Sequence, residues 1–494
     1  MMRHLFFIGL VAAATQASAQ TVPRDSLSQS TLTIDQAREL ARRNNPELQQ
    51  TLNNRINARA AVRSAYGALL PSADASLSAQ RQQGGQQIFS GTSLGASSDV
   101  NQSSYQIGIN YRINSATLIT PSLQRANRDA VEADITGATE TLRSNVSQQY
   151  LSALQAEATA DLQDSLVVAS QQELILAQAR EIVGSGTQLD VQRAEVALGL
   201  QKVQALKARN QVEIEKLRLF QLMGINQPPN VKLVSQFPVV PLNLNLQDLI
   251  ASARSQNPWV LALRSREHVA DLHVRREKGE YSPTLSLSTG IGGYTYGYTN
   301  SNFPVQQAAA QLEAARTSCI RSEEVRAALN LSNQLAECNT MAFTDAQAQA
   351  IRDNNSKFPF NFTKSPRSFS AMLSLPLFDG FAREQRLQEA MASRSDARYS
   401  VRARELALTA DVTAAYLIVT TAEKTVTLQE QNAAKAKQEL KLVQDRYKIG
   451  ATTFVDLIQA RATYERAESE RINAVYDYHK AFAALESAVG HPLR

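Results

Sequence analysis

The stretch LTIDQARELARRNNP at residues 32–46 returns as LNLQDLIASARSQNP at residues 244–258, so a helical pattern that ends in Asn-Pro occurs twice. Further along, the same landmarks recur in the same order, while their offset grows from 212 to 266 residues. The recurring pairs are Tyr150 with Tyr416, Gly184 with Gly450, Asp190 with Asp456, and Gly224 with Gly490. Landmarks that keep their order indicate an internal duplication, in which the second copy carries 54 additional residues.

The first residues have the composition of a secretory signal peptide. Arg3 and His4 precede an apolar run from Leu5 to Ala14, and Ala17-Ser18-Ala19 supplies the small residues for cleavage after Ala19. We expect no other apolar run near the ~18 residues of a membrane-spanning helix. The predicted organisation is a signal peptide at 1–19, a flexible N-terminal segment at 20–31, repeat 1 at 32–225, a linker at 226–243, and repeat 2 at 244–494 with an enlarged outer loop at about 300–366.

Each copy contains two stretches that alternate between apolar and polar residues, which predicts two β-strands per copy and four per chain. The stretches run from Ala73 to Ala79, from Tyr105 to Ile113, from Leu285 to Tyr298, and from Phe369 to Leu377. Four strands cannot close a barrel, because about eight is the smallest number seen. A membrane barrel would therefore require strands from several chains.

The second copy also carries the tyrosine cluster Tyr294, Tyr296 and Tyr298. Such a cluster suits an aromatic girdle on a lipid-facing band of a barrel. An ordinary soluble β-sandwich face is the alternative interpretation.

The remaining segments have helical periodicity. Asp35 to Leu69 predicts a helix with a break at Asn44-Asn45-Pro46, and Pro121 to Val183 predicts a helix that rises ~95 Å at about 1.5 Å per residue. A returning helix covers Leu189 to Leu222. Two short helices placed end to end match one long helix, which predicts a tube about 100 Å long with the strands at one end.

Seven-residue spacing along these helices indicates coiled-coil packing. In copy one the spaced residues are Leu162, Ala169, Leu176 and Val183, then Val191, Leu198, Ala205, Val212 and Leu219. In copy two they are Leu428, Lys435, Leu442 and Ile449, then Leu457, Tyr464, Arg471, Tyr478 and Leu485.

Composition and charge exclude several function classes. Only 6% of the 494 residues are aromatic, and 51 basic residues are interspersed with 46 acidic ones. This distribution is typical of solvated helix faces and predicts no nucleic-acid partner. The sequence contains neither zinc-ligand spacing nor a phosphate-binding Gly-Lys-Ser/Thr motif. We therefore predict no catalytic residue, no metal and no cofactor, in a protein that is not an enzyme.

Cys319 and Cys338 are the only cysteines, and both lie in the enlarged outer loop. An exported chain meets an oxidising compartment, which favours a structural disulfide over a metal site or free thiols. On one continuous helix the two residues would lie ~28 Å apart, whereas a disulfide needs Cα atoms within ~7 Å. The helical patterns at 306–319 and 322–335 should therefore form a hairpin that turns near Asn330 to Asn333.

The chain resembles the TolC-type outer membrane efflux family over almost all of its mature length. The resemblance rests on the duplicated helix-strand-strand-helix-helix plan and on the Asn-Pro near each repeat start. It also rests on two turn signatures, GSGTQLDVQRA at 184–194 and GATTFVDLIQA at 450–460, and on the run Arg446-Tyr447-Lys448-Ile449-Gly450 before the second turn.

This resemblance implies an α+β membrane protein that works as a homotrimer. Four strands per chain would complete a twelve-stranded β-barrel in outer membrane lipid, and long coiled-coil helices would form a periplasmic tunnel. A periplasmic adaptor (membrane fusion) protein and an inner-membrane transporter are the implied partners. The implied adaptor-docking tips, for which simple turn chemistry is the alternative, are Gly184, Ser185, Gly186, Thr187, Gly450, Ala451, Thr452 and Thr453.

The resemblance also assigns residues to a pore constriction. Asp456 matches a lining position, and Gln459 stands where the family has a further acidic residue. Asp190 and Tyr447 match positions that form a closing link between neighbouring helices, while the basic partner of that link falls at Thr452. An acidic ring at a narrow axis attracts cations. The alternative for Asp190 and Asp456 is a carboxylate that offsets the dipole of a helix N-terminus.

The predicted function is an outer membrane channel of a tripartite efflux or type I secretion system in a Gram-negative-type bacterium. Substrates would pass from the adaptor and the transporter to the exterior. The alternative is a secreted coiled-coil adhesin or a structural envelope protein, for which helices and an export signal suffice. The four strands and the twin Gly-turn-Asp tips favour the channel.

Overall fold

A computed structural model describes residues 31–89, 92–96, 98–228, 231–234, 239, 244–332 and 334–493. The predicted signal peptide at 1–19, almost all of the predicted N-terminal segment at 20–31 and part of the predicted linker at 226–243 lie outside the described residues.

Eleven helices lie within the described residues, and they follow the duplicated plan. In repeat 1 they are α1 (Ile34–Asn44), α2 (Pro46–Gly67), α3 (Ser115–Ile182) and α4 (Gln188–Met223). In repeat 2 they are α5 (Leu246–Gln256), α6 (Pro258–Gly279), α7 (Asn302–Ala328), α8 (Leu335–Asn339), α9 (Asp345–Ser356), α10 (Ala382–Lys448) and α11 (Phe454–Val489). The predicted break at Asn44-Asn45-Pro46 separates α1 from α2.

Nine strands complete the described secondary structure. They are β1 (Thr31–Leu32), β2 (Ser72–Gln82), β3 (Gln86–Phe89), β4 (Thr92–Ala96), β5 (Val100–Ile113), β6 (Lys232–Leu233), β7 (Thr284–Tyr298), β8 (Thr363–Lys364) and β9 (Ser368–Ser374). The four predicted strands correspond to β2, β5, β7 and β9, which form one antiparallel sheet in the order β2-β5-β7-β9, with β8 also pairing with β7. Strand β6 lies inside the predicted linker at 226–243 and pairs in parallel with β1.

The described chain divides into two compact units, which do not coincide with the two repeats because each repeat contributes to both. The first unit consists of the chain up to Arg59, Ala126–Val269, and the chain from Ser395 onward. The second unit consists of Ala60–Arg125 and Ala270–Arg394. The first unit is helical apart from the short β1–β6 pair, and the second contains the sheet.

The repeated Asn-Pro has the same structural role in both copies. Pro46 disfavours helical geometry at the preceding residue, and Asn45 is extended there, with ψ 120°. The side-chain amide of Asn45 donates to the carbonyl of Leu222 at 2.8 Å, while its oxygen accepts from the amide of Leu48 at 2.9 Å. In the second copy, Asn257 donates likewise to the carbonyl of Ala488 at 3.0 Å.

The glycines at the ends of α4 and α11 have left-handed conformations that suit glycine. Gly224 has φ 71° and Gly490 has φ 95°. A Cβ at Gly224 would also collide with the carbonyl oxygen of Asn44. Each glycine therefore ends its helix and lets the Asn-Pro corner of the same repeat approach closely.

The buried rows confirm seven-residue spacing, but in the single chain they do not contain every predicted residue. On α4 the predicted residues Val191 to Leu219 are buried. The predicted Leu428 and Leu442 of α10, and Ile449 just after its end, are 60%, 64% and 81% exposed in the single chain. The buried row lies two residues earlier, at Val412, Val419, Val426, Ala433, Leu440 and Tyr447. Two apolar rows share one period on this helix, so the period alone could not identify the buried row.

Helix α10 also contains a stretch that, by length and composition, is apolar enough to cross a membrane. The expectation of no second apolar run is therefore wrong on that measure. Only 17% of that stretch is buried in the single chain. Val412, Val419 and Val426 of the same helix pack in the core with Tyr478 and Leu485 of α11.

The sheet register separates two faces of different polarity. On what we call the apolar face, Ala75, Ile107 and Ile291 lie side by side, as do Tyr111, Leu287 and Ala371. On the other, polar face, Ser76 aligns with Gln106, and Ser288 aligns with Asn110 and Ser370. The two faces alternate residue by residue, as strand geometry requires.

The register places the tyrosine cluster on the polar face, and not in the apolar rows that its predicted place in a lipid-facing band requires. Tyr294, Tyr296 and Tyr298 lie opposite Ser104, Gln102 and Val100. Their alternate neighbours Gly293, Thr295 and Gly297 occupy the apolar-face positions. Glycine gives no polarity signal, which is why the sequence pattern favoured the tyrosines.

The enlarged outer loop contains α7, α8, α9 and β8, which we call the insert. The Sγ atoms of Cys319 and Cys338 are bonded, and their Cα atoms lie 5.7 Å apart. The first predicted helical pattern and the first half of the second fall on the single helix α7. The chain reverses after Ala328, so that α8 brings Cys338 back. Asn330, at φ 53°, lies in this reversal and is the first residue of the predicted turn.

Candidate functional site

The candidate site contains two turns that each connect a pair of helices, and the first of them joins α3 to α4. Gly184 has φ 76°, and the amides of Ser185 and Gly186 donate to the carbonyl of Arg180 at 2.9 and 3.0 Å. Thr187 then caps α4, because its hydroxyl accepts from the amide of Asp190 at 3.2 Å. The carboxylate of Asp190 accepts from the backbone amide of Thr187 at 3.4 Å, which completes a capping box, and also from the Thr187 hydroxyl at 2.8 Å.

The second turn repeats this arrangement between α10 and α11. Gly450 has φ 80°, and the amide of Ala451 donates to the carbonyl of Arg446 at 2.9 Å. Thr453 caps α11, and the Asp456 carboxylate accepts from both its amide, at 3.0 Å, and its hydroxyl, at 2.7 Å. Thr452 donates its hydroxyl to the same oxygen at 2.8 Å. Thr452 therefore binds the carboxylate of the helix that follows it.

The hydrogen bonds of the second turn keep Asp456 ionised. The hydroxyls of Thr453 and Thr452, with the Thr453 amide, lower the pKa of the Asp456 carboxyl below its usual value. These donors stabilise the charged form. Asp456 is exposed, so its negative charge is presented to water at the start of α11.

Tyr447 is buried at the end of α10 and contacts both neighbouring helices. Its ring centroid lies 5.7 Å from that of Phe454, the first residue of α11. The guanidinium of Arg180, near the end of α3, lies over the same ring and donates to the backbone carbonyl of Tyr447. Burial raises the pKa of the Tyr447 hydroxyl, and the charge of Asp190 also raises it.

The predicted constriction residues lie on neighbouring turns of one helical bundle. Asp456 and Gln459 are exposed and one turn apart on α11. Asp190 interacts with Thr187 and lies 4.0 Å from Arg193 of its own helix. Val191, which follows Asp190, packs in one hydrophobic cluster with Tyr447 of α10 and Leu457 of α11.

A buried ion pair joins α3 to α11 behind the turns. Arg461 donates to Ser170 at 2.6 Å and to Glu173 at 2.7 Å, and all three residues are buried. The second carboxylate oxygen of Glu173 has no hydrogen-bond partner among the described residues. Burial raises the pKa of Glu173, although Arg461 opposes that shift.

An open groove of about 690 Å³ lies between α4 and α11. Val196 and Leu200 contribute apolar side chains from α4, Val455 and Ile458 contribute them from α11, and Arg461 lies at its base. Val196, Leu200 and Val455 are more than half exposed in the single chain. The groove therefore exposes an apolar surface next to the two turns.

In the second unit, the polar face of the sheet lines a groove of about 460 Å³. Its lining includes Asp74, Gln102, Gln106, Asn110 and Tyr296. The apolar face of the same strands leaves Leu77, Ile291 and Leu373 exposed. A strand that is apolar on one side and polar on the other is typical of a wall between lipid and a water-filled lumen.

Sequence reasoning missed Arg180, Glu173 and Arg461. Arg180 occupies the position in copy one that Arg446 occupies in copy two, so the duplication marks it as a turn residue. Nothing in the sequence pairs Glu173 with Arg461, because the two residues lie on helices from different repeats. Within the described ranges, no group of three or more His, Cys, Asp or Glu residues could hold a metal ion.

Comparison with known proteins gives both a family and a fold. The family model described as "Outer membrane efflux protein" matches residues 37–225 and 298–491. The chain is similar in structure to the CmeC outer membrane channel of Campylobacter jejuni, with 16% identity, a TM-score of 0.70, and coverage of 92% of this chain and 85% of that one.

Two further solved structures are similar. The open state of the Neisseria gonorrhoeae MtrE outer membrane channel has 17% identity and a TM-score of 0.67, with coverage of 93% of this chain and 89% of that one. A membrane protein from Pseudomonas aeruginosa has 19% identity and a TM-score of 0.68, with coverage of 93% and 90%. At these identities the likeness concerns the fold. No curated protein sequence matches this chain.

Proposed function

We propose, from the premise that this chain belongs to the outer membrane efflux protein family, that it is the outer membrane channel of a tripartite efflux or type I secretion system. A homotrimer would receive substrates from a periplasmic adaptor and an inner-membrane transporter and release them outside the cell. The alternative, a secreted adhesin or structural envelope protein, does not account for the family match or for the two-faced sheet.

The observation that carries the proposal is the separation of polarity across the sheet. Strands β5 and β7 pair over fourteen residues each, and the alternate rows differ in polarity along most of that length. The outer strands β2 and β9 each pair on one side only, within the described residues. Unpaired strand edges are costly in a membrane, so neighbouring copies would have to pair with them.

The two turns would be the adaptor-docking tips, with the constriction beside them. The residues at issue are Gly184, Ser185, Gly186, Thr187, Gly450, Ala451, Thr452 and Thr453. Their backbone groups already form the turn hydrogen bonds, which leaves the apolar groove between α4 and α11 as the larger contact surface. Three copies of Asp456 around one axis would then favour cations.

Light scattering and planar bilayer recordings test this function together. Detergent-extracted protein should have the mass of a trimer and should form conducting pores in a bilayer. A monodisperse monomer that retains its β-structure, or a trimer without conductance even when Asp456 and Arg180 are replaced, would contradict the channel.

A further inference from the structure

The insert ends in a segment with an unusual composition. Residues 357–367 read KFPFNFTKSPR, with three phenylalanines and three cations, and we call them the aromatic–basic segment. Not one acidic residue occurs between Asp353 and Asp379. Within the described residues Lys357, Lys364 and Arg367 are exposed, and none of them has an ion-pair partner. Their charges are therefore available to an external group.

The aromatic–basic segment packs against the apolar face of the sheet. The ring of Phe358 occupies the space beside Gly297, where a Cβ would come within 2.7 Å of it. The ring of Phe362 meets the ring of Tyr105 edge-on, with centroids 4.9 Å apart. Gly297 and Tyr105 belong to rows that carry the apolar face, so this end of the insert lies on that side of the sheet.

The segment also lies at the level where that face changes character. The row of Leu77, Tyr105 and Gly293 is still apolar. Four residues further along β7, on the same face, the row consists of Arg81, Asn101 and Gly297. Lys364 of the segment lies opposite Gly293, in the last apolar row. Below this row, Leu285 to Gly293 extend roughly 27 Å along β7 at about 3.4 Å per residue.

That length fits the hydrocarbon region of an outer membrane. A strand tilt of about 40° reduces it to roughly 20 Å, and the exposed Leu375, Leu377 and Phe378 continue the apolar surface beyond β9. Aromatic rings and basic side chains at the edge of an apolar band are typical of the boundary with lipid headgroups. The aromatic–basic segment therefore occupies the position that the sequence pattern had given to the tyrosine cluster.

We propose that the aromatic–basic segment is a lipid-binding anchor, which recognises phosphate-bearing headgroups of the outer leaflet. Phe360, which is 75% exposed, would enter the boundary between headgroups and acyl chains. Lys357, Lys364 and Arg367 would bind the phosphates. The aromatic–basic segment thereby holds the end of the insert at the lipid boundary of the apolar face, and no periplasmic partner is needed for this.

The test uses the purified full-length protein in detergent, freed of bound lipid and titrated with a diglucosamine glycolipid that carries two phosphates. Native mass spectrometry measures the bound lipid. Replacement of the three cations (Lys357→Gln, Lys364→Gln and Arg367→Gln) should weaken binding about 100-fold, because each basic residue near an anionic lipid surface contributes roughly fivefold. The dephosphorylated glycolipid should bind the unmodified protein as weakly as the phosphorylated one binds the variant.

Matched variants keep the result interpretable. Lys202→Gln, Lys207→Gln and Lys437→Gln remove the same charge from exposed positions on α4 and α10 and should leave lipid binding unchanged. The exchange of Lys for Arg and of Arg for Lys at positions 357, 364 and 367 keeps the charge and should keep the binding. Equal binding of the phosphorylated and dephosphorylated lipids would overturn the proposal. An equal loss of lipid binding in the variant with Lys202, Lys207 and Lys437 replaced would also overturn it. So would the absence of lipid binding because a second copy of the chain covers the segment.

Discussion

The guanidinium carbon of Arg180 lies 4.5 Å from the ring centroid of Tyr447, and the same side chain donates to the carbonyl of Ser185 at 2.8 Å. One residue of the first repeat thus binds its own turn and the last buried residue of α10. The cation beside Tyr447 is therefore Arg180 of α3, since Thr452 carries no charge. Arg180 therefore links the two turns directly.

Replacement of Arg180 by Ala should loosen the contact between the turns. The loss of a cation–π contact and of hydrogen bonds to two carbonyls should cost about 1–2 kcal/mol. In planar bilayers the open fraction should rise, because the Tyr447 end of α10 is no longer tied to α3. Arg446→Ala is the matched control from the second repeat, and an equal effect of the two variants would contradict a specific role for Arg180.

Replacement of Asp456 by Asn should reduce the cation preference of the channel. The lowered pKa of Asp456 means that the unmodified carboxyl is charged at neutral pH, and Asn removes the charge while it keeps the shape. The difference should be large at low salt and shrink at high salt, since the Debye length is about 8–10 Å at physiological ionic strength. Asp190→Asn is the control at the equivalent turn. Unchanged selectivity at low salt would assign Asp456 to helix capping alone.

Acidification should raise the stability of the folded protein through Glu173. Its pKa is raised in the folded protein, chiefly by burial, so the folded state binds the proton more readily than the unfolded chain does. The stabilisation is complete below the ordinary value of 4.5 and is lost as pH rises through the raised value. The melting temperature relative to Glu173→Gln should therefore rise as pH falls from 7 toward 4.5. A fall would mean that Arg461 outweighs burial.

Removal of the disulfide should destabilise the insert without changing the pore. Cys319→Ser with Cys338→Ser opens a loop of about 20 residues, whose closure contributes about 3 kcal/mol in the chain-entropy model. Limited proteolysis should then cut the insert faster, while single-channel conductance stays the same. Peptide mapping under non-reducing conditions should find the two cysteines bonded in protein from the cell envelope. Two free thiols there would contradict this prediction.

The sequence predicted the parts of the fold that local chemistry determines. Gly184 and Gly450 end long helices because their positive φ suits glycine, and the Asn-Pro corners mark where two short helices meet. Both signals act within a few residues and occur twice. The four strands and the turns were therefore predictable from one sequence.

What the sequence could not supply depends on partners far along the chain. Tyr296 is assigned to the polar face only once its pairing with Gln102 is known. The need for glycine at position 297 becomes visible only when the ring of Phe358 is seen beside it. Arg180 likewise has no recognisable role until Tyr447 is beside it. Periodicity predicts that an apolar row exists, whereas long-range register decides which row is buried.

The pairing of Val100 with Tyr298 has a consequence for the order in which the protein can fold. Strand β5 leaves the cytoplasm with the first half of the chain, but its partner β7 belongs to the second half. Until the second half follows, the apolar row at Ile107 and Ile109 has neither lipid nor β7 beside it. Unpaired strands of this kind aggregate readily. We expect that a chain truncated before Thr284 aggregates, and that biogenesis of this protein depends on periplasmic chaperones that bind β5 until the second repeat arrives.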